Sequence, residues 1–461
     1  MTLIKSISGI RGTIGGEVNN NLTPLDAVKF AAAYGMWLKE KSSKTKLTVV
    51  IGRDARISGS MIGDLVAKTL IGLGINVKDL GLSTTPTVEI AVVLENADGG
   101  IIITASHNPK QWNALKLLNN KGEFINASEG TKILNIAENE DFIFAEVDDL
   151  GTHNKIEGYI EKHINEVLKL DIIDINAIQE AKFKVVIDAV NSTGGIALPL
   201  LLNKLGVECI ELYCEPNGHF PHNPEPLKEH LTEISKLVVN QKADLGFVVD
   251  PDVDRLAIVC EDGSMFGEEY TLVACADYVL GKLNGGNTVS NLSSSRALKD
   301  ITLKHRGVYS SSAVGEVNVV HEMKKSNAII GGEGNGGIIY PGSHYGRDSL
   351  VGVVLFLSHL AHKNISCKAL KNNYPNYFMS KQKIELTPDI NIDAVLKKME
   401  IKYQNESVNT VDGVKIDFEK EWVHLRKSNT EPIIRIYTES FSLDNANLLA
   451  EKIIEEVKTL I

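Results

Sequence analysis

Three aspartates alternate in the stretch FVVDPDVDRLAIV: Asp250, Asp252 and Asp254. In a near-extended chain, alternate side chains share a face, so these carboxylates would crowd together. Such a cluster repels itself and asks for a cation, and all-oxygen donors favour a hard ion, Mg2+ or Ca2+, over zinc. An EF-hand loop is one rival, and Glu261 even stands at its twelfth position. Its sixth position, however, is Arg255 where that loop needs glycine, and the flanks LGFVV and LAIV read as strands. A solvated acidic turn without metal is the other rival. Arg255, beside the carboxylates, points to an anionic group nearby.

A second segment, LRKSNTEPIIRIYTES, brackets Ser428, Asn429 and Thr430 between Arg426 and Arg435. Hydroxyls, an amide and guanidinium forks around a turn suit a phosphate, although a plain polar turn between strands would read similarly. A third, GGEGNGGIIYPG, spans Gly331 to Gly342 and offers Glu333 and Asn335 on a glycine-rich loop suited to sugar hydroxyls or to a simple hairpin. It does not satisfy GxGxxG as a dinucleotide fingerprint. Then TASHNP sets Ser106 beside His107 after the apolar run GGIIIT. That pair could begin a hydrolase triad, fill a turn or carry a group covalently. No G-x-S-x-G elbow surrounds Ser106 and no Walker sequence is present, which disfavours an α/β-hydrolase and a P-loop enzyme. Arg11 in SGIRGTIG, and Arg53 and Arg56 in GRDARISG, are cations for an anionic ligand or for ordinary salt bridges.

The elements that must hold these segments repeat. KLTVVIGRDARISGSMIGDLVAKTLIGLGINVKDLG and KFKVVIDAVNSTGGIALPLLLNKLGVECIELYC each read as strand, loop, helix and second strand, with a weaker third copy at GNTVSNLSSSRALKDITLKHRGVYSS. Such units favour a parallel sheet. From KQKIEL onward, strands mix with a helix at IDAVLKKM and a closing helix, as in a small α+β domain. The reading is four domains: 1–150, 151–260, 261–372 and 373–461, three similar α/β domains with largely parallel sheets and a smaller α+β domain.

The chain has 461 residues, 43% hydrophobic and 23% charged, with a formal net charge of -11. That balance argues against nucleic acid as a main partner but leaves room for an anionic small molecule in a locally basic cleft. Five cysteines without CxxC spacing fit neither a disulfide framework nor a zinc site. No signal peptide is evident, and SLVGVVLFLSHLA is too short to span a bilayer and reads as a buried helix. A cytoplasmic protein is expected, with no membrane partner.

In order, TASHNP, DPDVDR, GEGNGG and RKSNTEPIIR resemble the four active-site loops of the α-D-phosphohexomutases, and the resemblance runs along the whole chain. It implies four domains around one cleft and an isomerase acting on a phosphosugar, with Mg2+ as cofactor and a hexose 1,6-bisphosphate as activator. Ser106 would be the phosphoserine, and its phosphate with Asp250, Asp252 and Asp254 would hold Mg2+. Arg255, Glu333 and Asn335 would meet the sugar. Arg426, Ser428, Asn429, Thr430 and Arg435 would hold the non-reacting phosphate. Arg11, Lys116 in WNALK, and His107 would stand near the proton and phosphoryl chemistry. Bacterial phosphoglucosamine mutases resemble the opening SISGIRGTIGG and HNPKQWNALKLLN, so glucosamine phosphate is the first expectation, with glucose and mannose phosphates as alternatives and a non-catalytic phosphosugar-binding protein as the remote one. Some relatives end the sugar loop with histidine where Gly337 stands here, and carry a basic residue where Val317 stands.

Overall fold

The structure, a computed structural model, describes every residue except 1, 7, 8, 386, 388, 389, 428–432 and 461. The first sheet has seven strands: β1 (Ile4–Ser6), β2 (Gly9–Thr13), β3 (Thr48–Arg53), β4 (Asn76–Leu82), β5 (Gly99–Ile103), β6 (Trp112–Leu118) and β7 (His153–Lys155), in the order β1-β2-β6-β5-β3-β4-β7. The second has β8 (Lys184–Asp188), β9 (Glu208–Leu212), β10 (Leu245–Val249) and β11 (Leu256–Cys260), in the order β11-β10-β8-β9. The third has β12 (Asn287–Asn291), β13 (Tyr309–Ser312), β14 (Ala328–Glu333) and β15 (Gly337–Ile339), in the order β13-β12-β14-β15.

One topology underlies all three. Number the strands β3 to β6, β8 to β11 and β12 to β15 one to four within each unit. The spatial order is then always fourth, third, first, second. The first three strands pair in parallel and the fourth returns as an antiparallel hairpin partner of the third. The weak third copy seen in the sequence is therefore a full repeat. Strand composition explains the layering: β5 and β10 are buried along their whole length, as strands with both faces covered must be.

The fourth sheet, β16 (Phe378–Glu385), β17 (Ser407–Asn409), β18 (Val414–Asp417), β19 (Trp422–Lys427) and β20 (Ile433–Ser440), is antiparallel in the order β16-β20-β19-β18-β17. Helices Ile392–Lys402 and Leu443–Lys458 supply one side of its core through Leu396, Met399, Leu449 and Ile453.

β7 pairs with β4, so the first sheet continues past residue 150 to Lys155. The turn after Cys260 folds back on β11, with Phe266 N–H donating to the Ile258 carbonyl, so the second unit continues past residue 260. SLVGVVLFLSHLA is buried within the helix Ser349–Lys363, capped by Asp348, whose Oδ1 accepts from the Leu350 and Val351 N–H groups. Its Phe356 ring packs on Phe247 and Phe266, so the second and third units share a single core. Among the described residues no helix is long and apolar enough to cross a membrane.

Candidate active site

The same turn of each repeated unit faces one cleft. Ser106 lies between β5 and β6, Asp250 to Asp254 between β10 and β11, and Gly334 to Gly336 between β14 and β15. Each turn has a residue in left-handed backbone: Ser106 at φ 49°, Val253 at φ 63° and Gly336 at φ 86°. For Ser106 and the β-branched Val253 that conformation is strained and persists only where surroundings impose it.

Arg56 imposes it at Ser106. The buried guanidinium donates from Nη2 to the carbonyls of Ser106 and Asn108, both at 2.6 Å, and from Nη1 to those of Pro109 (2.8 Å) and Trp112 (2.9 Å). Its Nε bonds Asp54 Oδ2 at 3.0 Å. The Thr104 hydroxyl donates to the same Asp54 oxygen and accepts from the Ser106 N–H. GRDARISG thus supplies a loop clamp in Arg56. Arg53 Nη1 reaches the Asp54 carbonyl.

The Ser106 hydroxyl donates to Asp250 Oδ2 at 2.8 Å, and His107 Nδ1 lies farther away at 3.3 Å. Burial, then the Arg255 charge, pushes the His107 pKa down to about 2, so the ring is neutral at physiological pH. Asp250, Asp252 and Asp254 are fully buried, with one carboxylate oxygen from each lying within 4.8 Å of the others. Burial and its two aspartate neighbours push the Asp250 pKa well up. Lys116 Nζ bridges Asp252 Oδ2 at 2.6 Å and Asp254 Oδ2 at 3.1 Å. Burial alone would lower its pKa, yet the two carboxylates outweigh that and hold it above the ordinary lysine value. Thr85, at the start of the helix Thr85–Leu94, donates its hydroxyl to Asp252 Oδ2 at 2.5 Å.

This donor set suits a hard divalent cation. Lys116 meets the Oδ2 atoms, but Asp252 Oδ1 and Asp254 Oδ1 are buried with no hydrogen-bond partner among the described residues, and a further cation would satisfy them. All donors are oxygens, and the Ser106 hydroxyl stands at the open side.

A cavity of about 530 Å3 opens over the serine, lined by Arg11, His107, Lys116, Arg255, Asn335 and Arg347 among others. Arg11 Nη1 donates to Asn108 Oδ1 at 3.1 Å, and Arg255 pairs with Glu225 at 3.3 Å. Glu333 lines the cavity but its carboxylate is engaged within the protein. Oε1 accepts from Asn291 Nδ2 (2.9 Å) and Gly315 N–H (3.0 Å), and Oε2 from Arg347 Nη1 (2.9 Å). The Asn335 side-chain carbonyl accepts from the Gly337 N–H, in its own loop. Arg426 and Arg435 stand apart from this cavity, directly opposite each other on β19 and β20, with Arg426 Nε 2.9 Å from Asp412. Ser428, Asn429 and Thr430 lie outside the described residues. Sequence reasoning missed Thr85, Glu316 and Arg347; the pair Arg347-Asp348 just before an apolar helix was the one visible sign of the last.

Comparison with known proteins agrees with this arrangement. Residues 3–144, 157–263 and 267–377 match the phosphoglucomutase/phosphomannomutase alpha/beta/alpha domains I, II and III, and residues 384–456 match the C-terminal domain. A Thermococcus kodakarensis protein named phosphoglucomutase/phosphomannomutase is 35% identical, over 96% of this chain and 98% of that one. A Sulfurisphaera tokodaii phosphoglucosamine/phosphogalactosamine mutase is 33% identical over 96% and 97%. A crystal structure of a phosphoglucomutase/phosphomannomutase family protein from Burkholderia thailandensis superposes with a TM-score of 0.85 at 23% identity, covering 99% of this chain and 97% of that one. Fold and relatives together define an isomerase that moves phosphoryl groups within a molecule. The chain belongs to the phosphoglucomutase/phosphomannomutase family.

Proposed function

We propose that this enzyme interconverts the 6- and 1-phosphates of a hexose through a phosphorylated Ser106 and a bisphosphorylated sugar, with glucosamine 6-phosphate as its substrate. The observation that carries this is the Ser106 hydroxyl bonded to a buried aspartate cluster at the floor of a cationic cleft. A hydroxyl so placed suits a phosphoryl depot. The serine hydroxyl donates to Asp250 instead of His107, and with its pKa pushed down to about 2 that imidazole is too weak a base for a hydrolase triad.

Asp250, Asp252 and Asp254 would hold Mg2+ together with the serine phosphate. When bound, the ion supplies charge neutralisation for the transferring phosphoryl group. Lys116, kept charged by its two carboxylates, and Arg11 present positive charge toward the same group. Arg56 keeps the serine at one depth. Arg426 and Arg435, side by side on another sheet, would anchor the phosphate that is not reacting. An anchor blind to sugar orientation lets a bisphosphate rebind with its ends exchanged, which also explains why a hexose 1,6-bisphosphate would act as activator.

Names of relatives support more than one sugar: glucosamine and galactosamine for one, glucose and mannose for another. The deciding experiment compares kcat/KM for glucosamine 6-phosphate, glucose 1-phosphate and mannose 1-phosphate with Mg2+ and bisphosphate supplied. Preference for a neutral hexose overturns the glucosamine assignment. Release of inorganic phosphate without isomer overturns the mutase assignment.

A further inference from the structure

Arg347 lies outside all four chemistry-bearing segments, yet its buried guanidinium joins two of them. Nη2 donates to Asp254 Oδ2 at 2.7 Å, Nη1 to Glu333 Oε2 at 2.9 Å and Nε to Glu316 Oε2 at 3.0 Å. The carboxylates come from the β10–β11 turn, the end of β14 and the helix Glu316–Ser326. We propose that Arg347 is a positioning residue for phosphoryl transfer: it clamps the sugar loop to the aspartate loop and so sets where the hexose sits relative to Ser106.

The clamp is rigid at both ends. On the protein side, the Arg347 N–H donates to Glu316 Oε1, and the next residue, Asp348, caps a helix through Oδ1 while its Oδ2 meets His163 Nε2 at 2.9 Å. On the ligand side, Glu333 cannot turn, because Asn291 and Gly315 hold its other oxygen. Only a planar fork can address three carboxylates in three directions, and a lysine ammonium on a flexible stem cannot reproduce that geometry. The neighbouring loop leaves room for it: a Cβ at Gly337 would overlap Arg347 Cδ. Gly337 has no left-handed backbone requirement, so its lack of a side chain answers to the arginine. The guanidinium also lines the cavity shared with Ser106, so displacing it alters the wall against which a sugar rests.

This inference rests on the mutase reading, and the test separates the two. Arg347→Met, Arg347→Lys and Gly337→Ala would be compared with wild type for kcat, KM and thermal unfolding. Arg347→Met should lower kcat about 100-fold, as small misplacements of a reacting group do, while KM changes little because the distal phosphate is held elsewhere. Arg347→Lys should fall between. Gly337→Ala keeps every charge but displaces the guanidinium, so it should show the same kcat loss, and it carries the test if Arg347→Met does not fold. A folded Gly337→Ala or Arg347→Met enzyme with wild-type kcat would overturn the clamp alone. Absence of isomerisation by wild type would overturn the mutase reading and the clamp with it.

Discussion

Ser106 and Asp250 stand 144 residues apart in the chain and meet in one 2.8 Å hydrogen bond, the serine hydroxyl donating. On the proposed reading, the covalent chemistry would fall to this serine facing carboxylates. Ser106→Ala should abolish isomerisation with Mg2+ and bisphosphate present, and should remove the single phosphoryl adduct from the intact mass. Wild-type turnover in that variant would sink the phosphoserine role. His107→Asn should retain much more activity than Ser106→Ala.

Among the described residues Asp252 Oδ1 and Asp254 Oδ1 are buried without hydrogen-bond partners, so a divalent ion should bind the folded chain preferentially. Adding Mg2+ at about 100 times its Kd should stabilise the protein by about 2.7 kcal/mol, read as a rise in Tm. Asp252→Asn should blunt that rise, and chelation should remove turnover without unfolding the chain.

Arg56 serves four backbone carbonyls and one carboxylate from inside the protein. Arg56→Met leaves Asp54 buried without its cation, a loss of about 3–5 kcal/mol. Calorimetry would measure it. Arg56→Lys keeps the charge but not the fork, and its kcat should fall more than its stability.

Arg426 and Arg435 oppose each other across adjacent strands, a like-charge pairing that the Asp412 carboxylate relieves on the Arg426 side. Arg426→Met should raise KM for every hexose phosphate at least about tenfold, the loss of a charge-assisted contact of roughly 1.5–3 kcal/mol, with little loss of Tm. Equal KM values in the variant and wild type would remove Arg426 from the phosphate site.

His344 offers a pH test. Burial alone would lower its pKa, but Asp348 and Glu89 outweigh burial and raise it to about 10. Glu89 reaches it from the helix Thr85–Leu94, and His163 shares Asp348 from the helix Tyr159–Val167. The folded state therefore keeps a proton that the unfolded chain loses near pH 6.5. The stabilisation is complete below pH 6.5 and lost as pH rises through about 10. Tm should fall across that window, and His344→Gln should flatten the slope.

Much of this was legible in the chain. Apolar strand runs and their recurrence marked the three repeats, and the serine, aspartate and glycine-rich segments fell on the same turn of each. β7 and β17 were not legible. HNK and SVN are short, polar edge strands joined to their sheets by backbone hydrogen bonds, so no side-chain period announces them. Glu333 is expected at the sugar because a carboxylate on a flexible loop suggests it; what the chain did not reveal is that Asn291, Gly315 and Arg347 also bond its oxygens. Those partners lie 42, 18 and 14 residues away in the chain, a separation that no local pattern encodes.

The common core around Phe356 has a mechanical consequence. The second and third units cannot shift against each other without opening a dry interior, so they form one stationary wall of the cleft. The first unit keeps its own cores, with Tyr159 as an apolar link, and meets that wall through Ser106–Asp250, Lys116–Asp252 and Glu123–Lys324. The fourth unit also has a separate core, and touches the wall through Ser293–His424 and Arg296–Glu439. Polar seams can break and re-form with water standing in, so opening of the cleft is expected at the outer two units, against the buried contacts Thr85–Asp252 and Thr87–His163 that the first unit would have to give up. Hydrogen exchange should find the slowest amides in the helix Ser349–Lys363 and the fastest-opening seams beside the serine and the paired arginines.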